Sequence, residues 1–210
     1  MSEISGLHDL RLYLIRHGET EWSLSGQHTG RTDISLTSRG EEGARELAPY
    51  LRGIVFARVL TSPRQRARQT CELAGLKGAS EIEPDLAEWD YGDYEGKRSL
   101  DICKERPSWD IFRDGCPGGE APAQISDRAD RLLSRLGALE GNVALFSHGH
   151  FGRVLAARWI GLSVIDGGHF ALGTASLGIL GRQHSHPETP VLALWNFSPS
   201  GCGVGKPSAL

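Results

Sequence analysis

Arg11-Leu12-Tyr13-Leu14-Ile15, running directly into Arg16-His17-Gly18, is the stretch from which the fold is read. A short unbroken apolar run, stopped by a polar turn with glycine, reads as a strand buried on both faces. Two further segments repeat the arrangement. Residues 55–60 stop at Thr61-Ser62-Pro63-Arg64, and Asn142-Val143-Ala144-Leu145-Phe146 stops at Ser147-His148-Gly149-His150. Helical patterns lie between them. Ser38-x-x-Glu41 has the form of a capping box, and Ala44, Leu47, Ala48 and Leu51 follow at helical spacing, with Pro49 set to kink or end the helix. Pro63 suits the first turn of a helix over residues 64–73. Ile125, Ala129, Leu132, Leu133 and Leu136 mark an amphipathic helix, and residues 151–160 read as helical. Residues 175–180 and 191–195 read as late strands. From 81 to 119 the pattern weakens to long loops with a short helix near 99–105, and residues 198–210 read as a loose tail. Strands alternating with helices predict an α/β fold, a three-layer α/β/α sandwich around a mostly parallel sheet, as one domain over residues 1–210. In such sheets ligands bind at the carboxyl edge, so the three polar turns are expected to converge on one pocket.

Composition narrows the class. The chain has 210 residues, 39% hydrophobic and 23% charged, which suits one globular domain and excludes a disordered tail or fibre. A net charge of −3 leaves no basic footprint, so nucleic acid is not an expected partner. No run approaches the ~18 apolar residues of a membrane span. The first residues lack the basic and apolar regions of a signal peptide. Cys71, Cys103, Cys116 and Cys202 show neither a C-x-x-C pair nor metal-type spacing and read as free thiols. The expectation is a cytoplasmic protein.

Arg16, His17, Arg64 and His148 would meet in the expected pocket. Arginine forks match phosphate oxygens, and a neutral imidazole is a competent nucleophile toward phosphorus. The cations would spread the charge that builds during phosphoryl transfer, with no metal required. Taken singly, each histidine reads as well as a structural group. His148-x-His150 and His184-x-His186 are rival metal pairs, but no carboxylate or cysteine accompanies either in a zinc pattern, so neither metal nor cofactor is expected. Glu88, beside Trp89 and Tyr91, is the candidate proton donor, because desolvation favours the neutral form of a carboxyl group. Asp90, Asp93 and Glu95 compete for that role, and a plain surface glutamate is the alternative.

Arg16-His17-Gly18-Glu19-Thr20-x-Trp22 closely resembles the signature of the histidine phosphatase superfamily, in its phosphoglycerate mutase-like branch. Thr29-Gly30-x-Thr32-Asp33-x-x-Leu36-Thr37, Thr61-Ser62-Pro63-Arg64-x-Arg66-Ala67-x-Gln69-Thr70, Glu88-Trp89-Asp90-Tyr91-Gly92-Asp93-Tyr94-Glu95-Gly96 and Ser147-His148-Gly149-His150 follow in family order. The resemblance implies a phosphoglycerate mutase-like fold with His17 as the phosphohistidine nucleophile. It implies that Arg16, Arg64 and His148 hold the phosphoryl group, that Glu88 is proton donor and then base, and that Thr29, Gly30 and Gly149 touch substrate. Ser23 stands where many members carry an asparagine, which puts that phosphate contact in question. The segment between Glu88 and His148 is short and lacks the Arg-Arg pair of the mutases, so a phosphatase is favoured over a phosphoglycerate mutase. A non-catalytic phosphate-binding module on the same fold is the other alternative. The segments around Glu88 and Trp109 look most like small bacterial acid phosphatases and the sedoheptulose-bisphosphatase branch. The expected partner is therefore a small phosphorylated metabolite, with a sugar phosphate or bisphosphate raised as substrate. Gln27, His28, Tyr91, Tyr94, Trp109, Arg113 and His150 are candidates for the outer pocket, Arg113 or His28 for a second anionic group. A homodimer would be typical of the family, and no membrane partner is expected.

Overall fold

The structure is a computed structural model that describes residues 10–78 and 80–199. In chain order its main elements are β1 (Arg11–Arg16), α1 (Glu21–Ser25), α2 (Ser38–Glu46), α3 (Ala48–Leu51), β2 (Phe56–Thr61), α4 (Gln65–Cys71), β3 (Ser80–Ile82), α5 (Ser99–Glu105), α6 (Ile111–Asp114), α7 (Pro122–Leu136), β4 (Asn142–Ser147), α8 (Gly149–Trp159), β5 (Leu177–Arg182) and β6 (Pro190–Phe197). Among the described residues the strands form one sheet in the order β3-β2-β4-β1-β5-β6. The pairs β2–β3, β2–β4 and β1–β4 are parallel, and β5 and β6 close the sheet antiparallel.

Period-two alternation makes the layers. Leu12, Leu14, Val143 and Leu145 enter one core, with Ile125, Ala129 and Leu132 of α7 and Phe151, Val154 and Leu155 of α8. Tyr13, Ile15, Ala144 and Phe146 enter a second core, with Leu47, Leu51, Ala67 and Cys71 from α2 to α4. A sheet sealed on both faces explains the unbroken apolar runs of β1 and β4.

Register brings the polar turns together. Arg16 lies opposite Ser147, and Thr61 opposite Phe146. His17 N–H donates to Ser147 O at 3.0 Å, and Ser62 N–H to Phe146 O at 2.9 Å. The first residues beyond β1, β2 and β4 are thereby held edge to edge. Gly18 is required just beyond β1, since a Cβ there would sit 2.4 Å from Gly40 O.

Several boundaries differ from the sequence reading. Thr37, not Ser38, caps α2, its side chain accepting from Gly40 N–H. The break at Leu47 puts Pro49 near the start of α3, where its missing N–H costs nothing. Pro63 lies outside α4, whose N-cap is Arg64 in an extended conformation. Helix α8 begins at Gly149 rather than 151, which makes His148 its N-cap. The stretch 81–119, read as loops, also holds α6, and β3 runs just at its start. The expected tail lies, from residue 200 onward, outside the described residues, as does Cys202. The other three cysteines are free thiols, and no described helix is long and apolar enough to cross a membrane.

Candidate active site

His17 follows β1 directly and is buried. Its Nδ1 stands 2.7 Å from Gly18 O, so Nδ1 carries the proton and Nε2 keeps its lone pair. Burial pushes the imidazole pKa well below 6.5, and the charges of Arg66 and Arg16 push it further. A neutral ring with a fixed tautomer is what a histidine nucleophile requires.

His148 lies beside it, the ring centroids 5.2 Å apart. Arg66 Nε donates to His148 Nδ1 at 3.2 Å, which leaves Nε2–H to donate to Ser62 Oγ at 2.7 Å. Burial, with Arg66 next, lowers its pKa well below 6.5. Arg16 and Arg64 complete the group. Among the described residues, Arg16 Nε and Arg64 Nε are the buried side-chain polar atoms without a hydrogen-bond partner. A buried donor without an acceptor costs ~1–3 kcal/mol. Arg16 carries that cost in the cavity that His17 lines, and Arg64, outside that lining, carries it within reach of His148. Gly149 keeps the approach to Arg16 open, since a Cβ there would lie 3.2 Å from Arg16 Cζ.

Glu88 is buried and is fixed by the backbone of two segments. Its Oε1 accepts from Trp89 N–H at 2.9 Å and Phe151 N–H at 2.8 Å, and Oε2 from His150 N–H at 3.0 Å. The first turn of α8 thus orients the carboxylate, which faces the cavity that His17 and Arg16 also line. The competing acids are committed elsewhere. Glu95 accepts from the N–H groups of Gly30 and Thr32, and Asp90 pairs with Arg31 and accepts from Gly92 N–H. Asp93 is exposed.

The cavity has a volume of about 200 Å³, below the ~300–1,000 Å³ of drug-sized pockets and suited to a small metabolite. Ser23, Gln27, His28, Thr29, Tyr91, Gly149 and His150 line it. Their contacts refine the expectation. Ser23 Oγ is bound to the backbone of Thr20 in the capping box of α1, so it borders the cavity with its hydroxyl already engaged. Gly30 lies outside the lining, its N–H on Glu95 and its carbonyl accepting from Arg66. Arg113 lies outside as well. It is half exposed, paired with Asp114 and bonded to Ser108 O, because the short helix α6 aims it at its own neighbours. Trp109 only backs the His28 ring, at 5.7 Å. Of the two rival metal pairs, His148 and His150 are held by other partners, with both His148 nitrogens engaged and His150 Nδ1 2.7 Å from Tyr91 Oη.

Two arginines carry weight that the sequence reading does not give them. Arg66 is fully buried and reaches Thr29 O, Thr32 O and His148, so it ties the loop after α1 to the second histidine. Its place two residues after Arg64 is visible in the sequence, but which of the two points inward depends on where α4 starts. Arg153, one turn into α8, lines the cavity, donates to Gly167 O and Gly168 O, and lies over the Phe112 ring. Burial first, then the charge of Arg16, lowers its pKa to about 10, so it stays a cation.

A neutral, tautomer-locked imidazole that shares its cavity with the unpartnered Arg16 Nε, on the carboxyl edge of a doubly covered sheet, defines a phosphoryl-handling enzyme. The sequence matches the histidine phosphatase superfamily (branch 1) over residues 12–197, and the chain belongs to that family. It is 44% identical to an acid phosphatase of Mycobacterium tuberculosis, over 90% of this chain and 95% of that protein. It is 34% identical to sedoheptulose 1,7-bisphosphatase of Saccharomyces cerevisiae, over 88% of this chain and 92% of that protein. A solved structure of a Mycobacterium tuberculosis open reading frame product superposes with a TM-score of 0.84 at 40% identity, covering 90% of this chain and 98% of the other. The chain is thus a phosphatase of the phosphoglycerate mutase-like fold.

Proposed function

We propose that the protein is a metal-independent phosphomonoesterase, acid phosphatase-like, that hydrolyses a small sugar phosphate or bisphosphate through a phosphohistidine on His17. His17 Nε2 attacks phosphorus in line, the bond from phosphorus to the ester oxygen breaks, and Glu88 gives that oxygen its proton. Water then attacks the phosphohistidine, Glu88 takes the water proton, and inorganic phosphate leaves as His17 is restored. Arg16 and Arg64 steady the phosphoryl oxygens, with Gly149 N–H at the start of α8 beside them, and His148 joins them when its Nε2–H turns from Ser62 Oγ to the phosphoryl group. Charge stabilisation and positioning supply most of the rate.

The observation that carries this reading is the buried donor Arg16 Nε, without a partner in the cavity of a histidine whose Nδ1 is spent on Gly18 O, together with a second such donor, Arg64 Nε, whose charge acts on His148. Buried donors in that setting are built for an anion. The substrate class is supported by the outer cavity. Gln27, Ser99, His28 and His150 offer polar contacts to a hydroxylated chain, and Arg153 supplies the second cation sought in Arg113 or His28.

The test is phosphate release from a panel of phosphoglycerates, sugar monophosphates, sugar bisphosphates and p-nitrophenyl phosphate, with EDTA present. Wild-type protein releases phosphate, with sugar phosphates ranking above phosphoglycerates, and His17→Ala loses nearly all turnover. Isomerisation of phosphoglycerate dependent on a bisphosphate primer, without net release, would instead identify a mutase.

A further inference from the structure

We propose that Tyr91 is a positioning residue for His150: its hydroxyl, 2.7 Å from His150 Nδ1, fixes the imidazole as the Nε2–H tautomer, and that N–H selects an acceptor oxygen in the part of the substrate beyond the phosphoryl group. The selection half of this inference rests on the sugar-phosphate reading above; the tautomer half does not.

Three observations lead there. First, Tyr91 is held in place. It is 2% exposed, and His28 stacks on its ring with centroids 4.5 Å apart. Second, the direction of the hydrogen bond is set by what each group can do. Burial, with Glu88 next, raises the Tyr91 pKa well above 10, so the phenol keeps its proton. His150 Nδ1 is the acceptor within reach of that proton, and a proton on Nδ1 would leave a buried hydroxyl unsatisfied at ~1–3 kcal/mol. Third, a doubly protonated ring is disfavoured. Burial lowers the His150 pKa well below 6.5, and Arg153, His28 and Arg16 lower it further. Glu88 meets this residue through its backbone N–H.

A neutral His150 with Nδ1 occupied has one ring atom left for the cavity that it lines, the Nε2–H donor. A donor beyond the phosphoryl group favours a hydroxyl or carbonyl oxygen and gains nothing from an aromatic ring. The device therefore discriminates among phosphomonoesters by the group attached to the ester oxygen.

Two measurements test it. Nitrogen-15 NMR of the histidine rings, with His150 assigned by its loss in His150→Gln, reads the tautomer whatever the enzyme turns over. Nε2–H is expected in the wild type and a mixture in Tyr91→Phe; Nδ1–H in the wild type overturns the proposal. Kinetics read the selection. In Tyr91→Phe the ratio of kcat/KM for the best sugar phosphate of the panel to that for p-nitrophenyl phosphate falls about three- to tenfold, the span of one net hydrogen bond, and the fall lies in KM. In a His150→Gln background, whose amide N–H needs no tautomer lock, Tyr91→Phe changes that ratio by no more than ~twofold. An unchanged ratio in the single variant overturns the selection, as does an equal loss in both backgrounds. If the wild type hydrolyses no sugar phosphate, the substrate reading fails, and the NMR result alone decides whether the Tyr91–His150 lock exists.

Discussion

His28→Gln will lessen, by the share of one histidine, the loss of stability that the wild type suffers in acid. His28 is 6% exposed, stacked on Tyr91 and packed near Trp109 and His150. Burial lowers its pKa from 6.5 to about 4, the charge of Glu95 opposing weakly. Between those values the unfolded chain binds a proton that the folded ring refuses, so stability rises with pH there and is lost as pH falls from 6.5 toward 4. Each pH unit in that window costs ~1.4 kcal/mol, so His28 accounts for ~2 kcal/mol of the drop between pH 7 and pH 5. That is a large share of the ~5–15 kcal/mol that a domain possesses. Glutamine keeps a polar contact toward Ser99, whose Oγ lies 3.3 Å from His28 Nε2, but cannot titrate. The assay is urea unfolding of both proteins at both pH values, monitored by circular dichroism. Any cost of the substitution that is independent of pH cancels in the difference of differences. The drop in the variant is expected to be smaller by ~2 kcal/mol. Equal drops in the two proteins would refute the reasoning, because His28 would then titrate alike in both states.

Glu88→Gln is expected to lower kcat/KM, which reads the P–O cleavage step, ~10²–10⁴-fold on alkyl phosphates and much less on p-nitrophenyl phosphate, whose leaving group needs no proton; an equal loss of kcat/KM on both would remove Glu88 as the acid. The acidic limb of kcat/KM should lie well below pH 6.5, because His17 is held neutral by burial and by two cations. Arg66→Met removes one of those cations and should move that limb to higher pH; a stationary limb would show that Arg66 does not set the charge of His17.

The carboxyl edge of the sheet is legible in the sequence because its signals are local. Unbroken apolar runs ending in Arg16-His17-Gly18 and Ser147-His148-Gly149 name two central strands and their turns, and parallel pairing then sets the histidines side by side. The features that escape depend on tertiary context. All three residues of β3 are exposed, so they show no burial pattern. Helix α1 buries no residue fully and stands on the capping box between Thr20 and Ser23. Arg113 reads as overhanging the site because its loop looks long, whereas α6 and Asp114 turn it away. Arg153 escapes notice because its direction depends on α8 starting at Gly149, two residues before the apolar pattern begins.

During turnover a phosphoryl group is expected to rest on His17. Rapid mixing with substrate, an alkaline quench that preserves phosphohistidine, and peptide mapping by mass spectrometry test it most directly. A phosphopeptide containing His17, labile to acid and absent in His17→Ala, is expected. A phosphoryl group on another residue, or steady turnover with no trapped phosphopeptide even when Glu88→Gln slows its hydrolysis, would contradict it.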